Sequence, residues 1–252
     1  DIMTLTKEFT QKLYDNFAEN TKYRAVENAA TKNGLLNALE SRESHAANLP
    51  EFSIDLTKDP VSNQKQSGRC WMFAALNTFR HKTIADFKLD KFEFSQAYTF
   101  FWDKYEKSNW FFEQLLANPE MDSERLRFLL QTPQGDGGQW DMIVSLFQNY
   151  GVVPKSVMPE SANSSNSRDL NNYLNKLLRK DAVKLRQLVA EGKTNEEIQV
   201  EKEKMLAGIY QFLITSLGTP PTEFDFEYRD EEKNYHIDQQ LTPQMFYDKY
   251  IG

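Results

Sequence analysis

Residues 60–74, PVSNQKQSGRCWMFA, contain Cys70, the one cysteine of the chain. The first part, up to Arg69, is rich in turn-forming residues. From Cys70 onward Trp71, Ala74, Ala75, Thr78 and Phe79 recur at helical spacing. Cys70 is therefore expected in the first turn of a helix, directly after a loop containing Gly68. Backbone N–H groups without intrahelical acceptors and the positive end of the helix dipole favour a thiolate there. Arg69 adds to that field. A lone cysteine without such a context reads as a small buried hydrophobe; the loop-to-helix setting points instead to a nucleophile. Attack on a carbonyl carbon creates an oxyanion that needs hydrogen-bond donors. The candidates are the backbone N–H of Cys70 and the side-chain amide of Gln64, six positions upstream.

Upstream of this stretch, Phe52, Ile54 and Leu56 alternate as in a half-buried strand. Leu5, Phe9, Leu13 and Phe17 mark one face of a helix over 5–19, and a second short helix is expected over 22–30. Downstream, Ser95 is suited to cap a helix running through the aromatic-rich stretch 96–118, whose rings read as core or as a lobe interface. QTPQGDGGQW, 131–140, is a glycine-rich loop. A helix follows it and ends at Gly151. ESANSSNSR, 160–168, reads as a polar surface loop or boundary. Two charged helices are expected near 169–191 and 195–217, with faces that are most simply solvated or else make subunit contacts, the second opened by a capping box from Thr194 to Glu197. Phe224, Phe226 and Tyr228 then alternate at the start of a strand. The divisions expected are 1–60, a helical extension and strand; 61–160, a helical lobe with the nucleophile; and 161–252, a helical insertion leading into a β-rich lobe.

Composition narrows the function classes. The chain has 252 residues, 40% hydrophobic and 13% aromatic, which suits a folded protein with a sizeable core. A net charge of −7 argues against nucleic acid or an anionic membrane as the main partner. No apolar run is long enough to span a bilayer. The opening DIMTLTKEFTQKLYDNF lacks the apolar core of a signal peptide. A single cysteine makes no internal disulfide, so a cytoplasmic, reducing location is expected. No cofactor and no metal site are expected.

The segment PVSNQKQSGRCWMFA resembles the active-site segment of papain-like cysteine peptidases, which show Pro-Val, Asn-Gln and Cys-Trp-x-Phe at this spacing. The finer resemblance is to the bleomycin hydrolase and aminopeptidase C branch. It rests on Gln64-Lys-x-Ser-Gly-Arg-Cys-Trp71, on Gly137-Gly-Gln-Trp140, and on FSQAYTFFWDKYEK and TPPTEFDFEYRD. It covers nearly the whole chain. The resemblance implies an α+β papain-like fold, with a helical lobe bearing the cysteine and a β-rich lobe bearing a histidine and an asparagine. It implies Cys70 as nucleophile, Gln64 as oxyanion donor, and Gly137 and Gly138 as a cleft wall that a substrate backbone approaches closely. Asp136, just before that pair, is a candidate for holding a substrate's α-ammonium. Ser67 stands where papain-like enzymes carry a second, disulfide-bonded cysteine. An aminopeptidase acting on peptides and assembled as a hexamer is implied as well.

Such chemistry needs a histidine base. Of the three histidines, His45 precedes the nucleophile in a polar stretch, and His81 lies eleven residues along the same helix, about 16 Å away along the axis. His236 is followed by neither the alanine nor the strand pattern that the family's catalytic histidine carries. The matching histidine and asparagine are expected beyond residue 252, with much of the β-rich lobe. On that view the isolated chain is inactive and leaves the aromatic face around Tyr98–Phe112 exposed. The alternative is a non-catalytic assembly or binding module with a reactive thiol.

Overall fold

The computed structural model describes residues 67–131, 133–134, 140–165 and 167–252, with only the backbone for 67–71, 140–142 and 165. The helices expected over 5–19 and 22–30, the strand at 52–56, Gln64, and the loop residues Asp136, Gly137 and Gly138 lie outside the described residues, as does the side chain of Cys70. The elements in chain order are α1 (Ser67–Phe87), α2 (Gln96–Ala117), α3 (Ser123–Gln131), α4 (Trp140–Tyr150), α5 (Ala162–Ser165), α6 (Arg168–Ala190), α7 (Asn195–Leu217), β1 (Phe224–Arg229), β2 (Tyr235–Leu241) and α8 (Pro243–Tyr250). Among the described residues the chain is mostly helical with one small sheet, which is the α+β class the sequence implied. Among the described residues no helix is long and apolar enough to cross a membrane.

The chain divides into two compact units that interleave in sequence. One takes in Lys104–Gly135 and Ser161–Gly218. Its frame is the helical hairpin of α6 and α7, turned by Gly192 at a φ of 73°. On α6 the residues Leu170, Leu174, Leu178, Ala182 and Leu185 form one buried stripe. Thr194 caps α7, its hydroxyl accepting from the Glu197 N–H at 3.2 Å. Charge does not keep α7 in solvent: Ile198, Met205, Leu206, Ile209, Tyr210, Phe212 and Leu213 are all buried, so the expectation of a simply solvated face fails for this helix. Tyr210 meets Tyr105 edge-on and Phe212 stacks on Tyr173. Lys202, also buried, pairs with Glu113. Arg179 of α6 donates to the Leu130 and Gln131 carbonyls, which α3 leaves without helical partners.

The polar run at 160–168 marks a boundary, as the sequence reading allowed, since the two units divide between Glu160 and Ser161, but it is not a surface loop. Ser161, Asn163 and Ser164 are buried, not at the surface. Ser161 and Asn163 donate to the Ser216 carbonyl at 3.3 and 2.8 Å, and Ser164 bonds back to Ser161. These side chains satisfy one another and a helix-end carbonyl, which is what burial of polar groups requires.

The second unit takes in Gln64–Asp103, Asp136–Glu160 and Thr219–Gly252. Its centre is Phe246 of α8, whose ring lies 4.6–6.3 Å from those of Phe92, Phe94, Phe224, Phe226 and Tyr250. β1 and β2 pair antiparallel, with Arg229 opposite Tyr235 and an irregularity between Phe224 and Phe226. Ser95 caps α2 as expected, accepting from the Tyr98 N–H at 3.0 Å while donating to the Met158 carbonyl. Gly151 ends α4 at a φ of 69°. A Cβ there would fall 2.2 Å from the Pro243 carbonyl oxygen, so the start of α8 rests directly on this glycine. The aromatics from Tyr98 to Phe112 are core, with Phe101, Tyr105, Phe111 and Phe112 fully buried. Among the described residues these rings form no exposed aromatic face, contrary to the expectation for the isolated chain.

Candidate active site

α1 opens at Ser67, so Gly68 and Arg69 are helical and not in a loop as the sequence reading had them, while Cys70 stands in the first turn as expected. No acidic residue lies in that turn to oppose a thiolate. The helix is held along its length. Met72, Ala75 and Leu76 are buried, and Phe79 meets Phe147 of α4 edge-on at 5.2 Å. Further along, the buried Thr83 hydroxyl donates to the Tyr250 carbonyl at 2.9 Å and Lys82 Nζ donates to the Ile251 carbonyl. A helix fixed at so many points gives its first turn a defined position.

Of the three histidines, His45 lies outside the described residues, and the other two are placed unfavourably for Cys70. His81 is exposed on α1, three turns on. His236 lies on β2, stacked on Tyr228 at 4.8 Å, with Nε2 2.9 Å from the Asp230 carboxylate. That hydrogen bond, with further ones from the turn residues Asn234 and Glu232, holds the Asp230 carboxyl down at about 2. Asp230 in turn bridges to Leu89, and the Glu231 N–H donates to the Lys88 carbonyl. Both contacts lie just past the C-terminal end of α1 at Phe87. Cys70 and Phe87 are separated by about 26 Å of helix. His236 thus belongs to the opposite end of α1 from the thiol and is excluded as its base. Among the described residues no group of three or more His, Cys, Asp or Glu is arranged to hold a metal ion.

On the side of α1 that carries Phe73, Asn77 and Arg80 there is a cavity of about 230 Å³, completed by Glu93, Phe94, Gln96, Lys155 and Glu160. Sequence reasoning missed it, because its three groups of residues are far apart in the chain. The available signal was Arg80, ten residues after the cysteine and on the same side of the helix.

Comparison with known proteins identifies the family of the chain. The model of the Peptidase C1-like family matches residues 4–252. Aminopeptidase C of Lactococcus lactis subsp. lactis is 64% identical over 250 residues, covering 99% of this chain and 56% of that protein. Aminopeptidase C of Streptococcus thermophilus is 60% identical over 251 residues, with 99% and 56% covered. The crystal structure of PepW from Lactobacillus rhamnosis HN001 superposes with a TM-score of 0.71 at 51% identity, covering 99% of this chain and 56% of that one. The chain thus spans little more than half the length of these relatives. With the motif around Cys70, the helix that carries it and matches over nearly its full length, the chain belongs to the Peptidase C1-like family, among the papain-like peptidases of the bleomycin hydrolase and aminopeptidase C branch.

Proposed function

We propose that this chain is the nucleophile-bearing part of a cysteine aminopeptidase that releases N-terminal residues from peptides. The observation that carries the reading is Cys70 in the first turn of a firmly packed helix with no acid beside it. In the reaction, the Cys70 thiolate attacks the carbonyl carbon of the first peptide bond. The developing oxyanion is held by the Gln64 amide and by N–H groups of the opening turn of α1. A histidine, supplied from beyond residue 252 and oriented by an asparagine, protonates the leaving amine. Water activated by the same histidine then cleaves the thioester and frees the thiol. Gly137 and Gly138 border the substrate backbone, and Asp136 holds the substrate's α-ammonium. Relatives named aminopeptidase C at 60–64% identity weigh against the non-catalytic module. No cofactor enters the scheme.

The proposal extends to a hexamer in the cytoplasm, with peptides as partners and neither nucleic acid nor membrane among them. The support is the branch resemblance, the single cysteine and the acidic composition. The deciding experiment is the full-length enzyme with Cys70→Ala, assayed on aminoacyl reporter substrates. Turnover should vanish while the fold, read by circular dichroism, is unchanged. Turnover that persists would remove Cys70 from the mechanism. Light scattering of the full-length protein checks the assembly, and a monomer mass at micromolar concentration would exclude the hexamer.

A further inference from the structure

The cavity beside α1 is lined by two cations, Arg80 and Lys155, and by two carboxylates, Glu93 and Glu160. Its floor is apolar, made by Phe73 with the buried Leu76 and Phe94. Glu93 at its rim is already held by Lys155 at 2.7 Å. Arg80 is half-buried in the wall, and its Nε is shielded from solvent with no hydrogen-bond acceptor among the described residues. Glu93 lies near enough to feel the Arg80 charge yet accepts no hydrogen bond from it. A guanidinium donor buried without an acceptor is unfavourable, and a carboxylate is the partner its planar fork fits best.

The cavity also has a defined relation to the nucleophile. Positions 70, 73, 77 and 80 fall on one side of an α-helix, and Arg80 is about 15 Å from Cys70 along the axis. Helical side chains lean toward the N-terminus, here toward Cys70. Any structure that brings a histidine to the thiol from outside the chain approaches this end of α1. The relatives have room for such a structure, since this chain matches only 56% of their length. We propose that the cavity seats an Asp or Glu side chain carried by the polypeptide beyond residue 252, and that Arg80 is a positioning residue holding the histidine-bearing part in register with Cys70. The proposal rests on the reading of Cys70 as the nucleophile.

The test uses the full-length enzyme. Arg80→Ala should lower kcat tenfold or more with KM changed less than twofold. It should also raise the pH at which Cys70 is half-alkylated by iodoacetamide, because a displaced histidine no longer stabilises the thiolate. Arg80→Lys keeps the charge but not the planar fork, and should recover part of both. In that Lys variant, a zero-length carbodiimide should couple residue 80 to a carboxylate beyond residue 252, identified by peptide mapping. Coupling to Glu93 or Glu160 instead, or no coupling, would overturn the proposal even if the Ala variant folds poorly. Unchanged kcat and unchanged alkylation in Arg80→Ala would overturn it too. The two readings fail separately. Turnover independent of Cys70 sinks the nucleophile and this proposal together, whereas Cys70-dependent turnover indifferent to Arg80 sinks this proposal alone.

Discussion

At the scale of single residues the proposed chemistry rests on Cys70 and its donors. A thiol in the first turn of α1 should titrate below the ordinary value near 8.5. The rate of iodoacetamide alkylation against pH measures this, and an inflection at or above about 8.5 would contradict the placement. Gln64→Ala in the full-length enzyme should cut kcat by about 10²–10³, the cost of one oxyanion donor, with KM nearly unchanged because the bond strengthens mainly in the transition state. A loss below threefold would remove Gln64 from that role. Cys70 was legible because its signal is local, a turn-rich run passing into a helical pattern. Arg80 was not, because what makes it notable is the cavity, and residues 93–96 and 155–160 complete that cavity from elsewhere in the chain.

At the scale of elements, the features read correctly share one property: they are decided within four residues. Ser95 and Thr194 cap their helices through an N–H three residues on, and Gly151 ends α4 in a left-handed conformation. The buried knot at Ser161–Ser164 was misread because its acceptor, the Ser216 carbonyl, is supplied more than fifty residues later. β2 escaped notice because its residues are mostly exposed and lack alternation. Gly151→Ala should destabilise the protein by more than about 2 kcal/mol, since the added Cβ meets backbone rather than a yielding side chain. A denaturation midpoint unchanged by the substitution would contradict that close approach. On α6, burial pushes the Asp181 carboxyl up to about 7 against the opposing pull of Lys180 and Lys184. The unfolded chain releases that proton near 3.8. The neutral carboxyl's contribution is therefore full below about pH 4 and is lost as pH rises through 7. Asp181→Asn should stabilise the protein by about 2–4 kcal/mol at pH 7.5, and the gain should vanish near pH 4. Urea midpoints at the two pH values check it; an equal effect at both would contradict the assignment.

At the scale of the whole molecule, the proposed machinery is divided between this chain and the part of its relatives that it does not match. The described residues place the nucleophile's helix, bury their own aromatic core, and put His236 at the far end of α1 in a pair with Asp230. The isolated chain is expected to be inactive for want of a base, but the burial of the aromatics between Tyr98 and Phe112 removes the exposed face that the missing β-rich lobe suggested. The direct measurement is hydrolysis of an aminoacyl reporter by residues 1–252 alone, beside the full-length enzyme, with both preparations shown by mass spectrometry to take one iodoacetamide adduct on Cys70. The account predicts turnover by the full-length enzyme and none by residues 1–252. Turnover by residues 1–252 that survives His45→Ala and His81→Ala but disappears with His236→Ala would contradict it and make His236 the base.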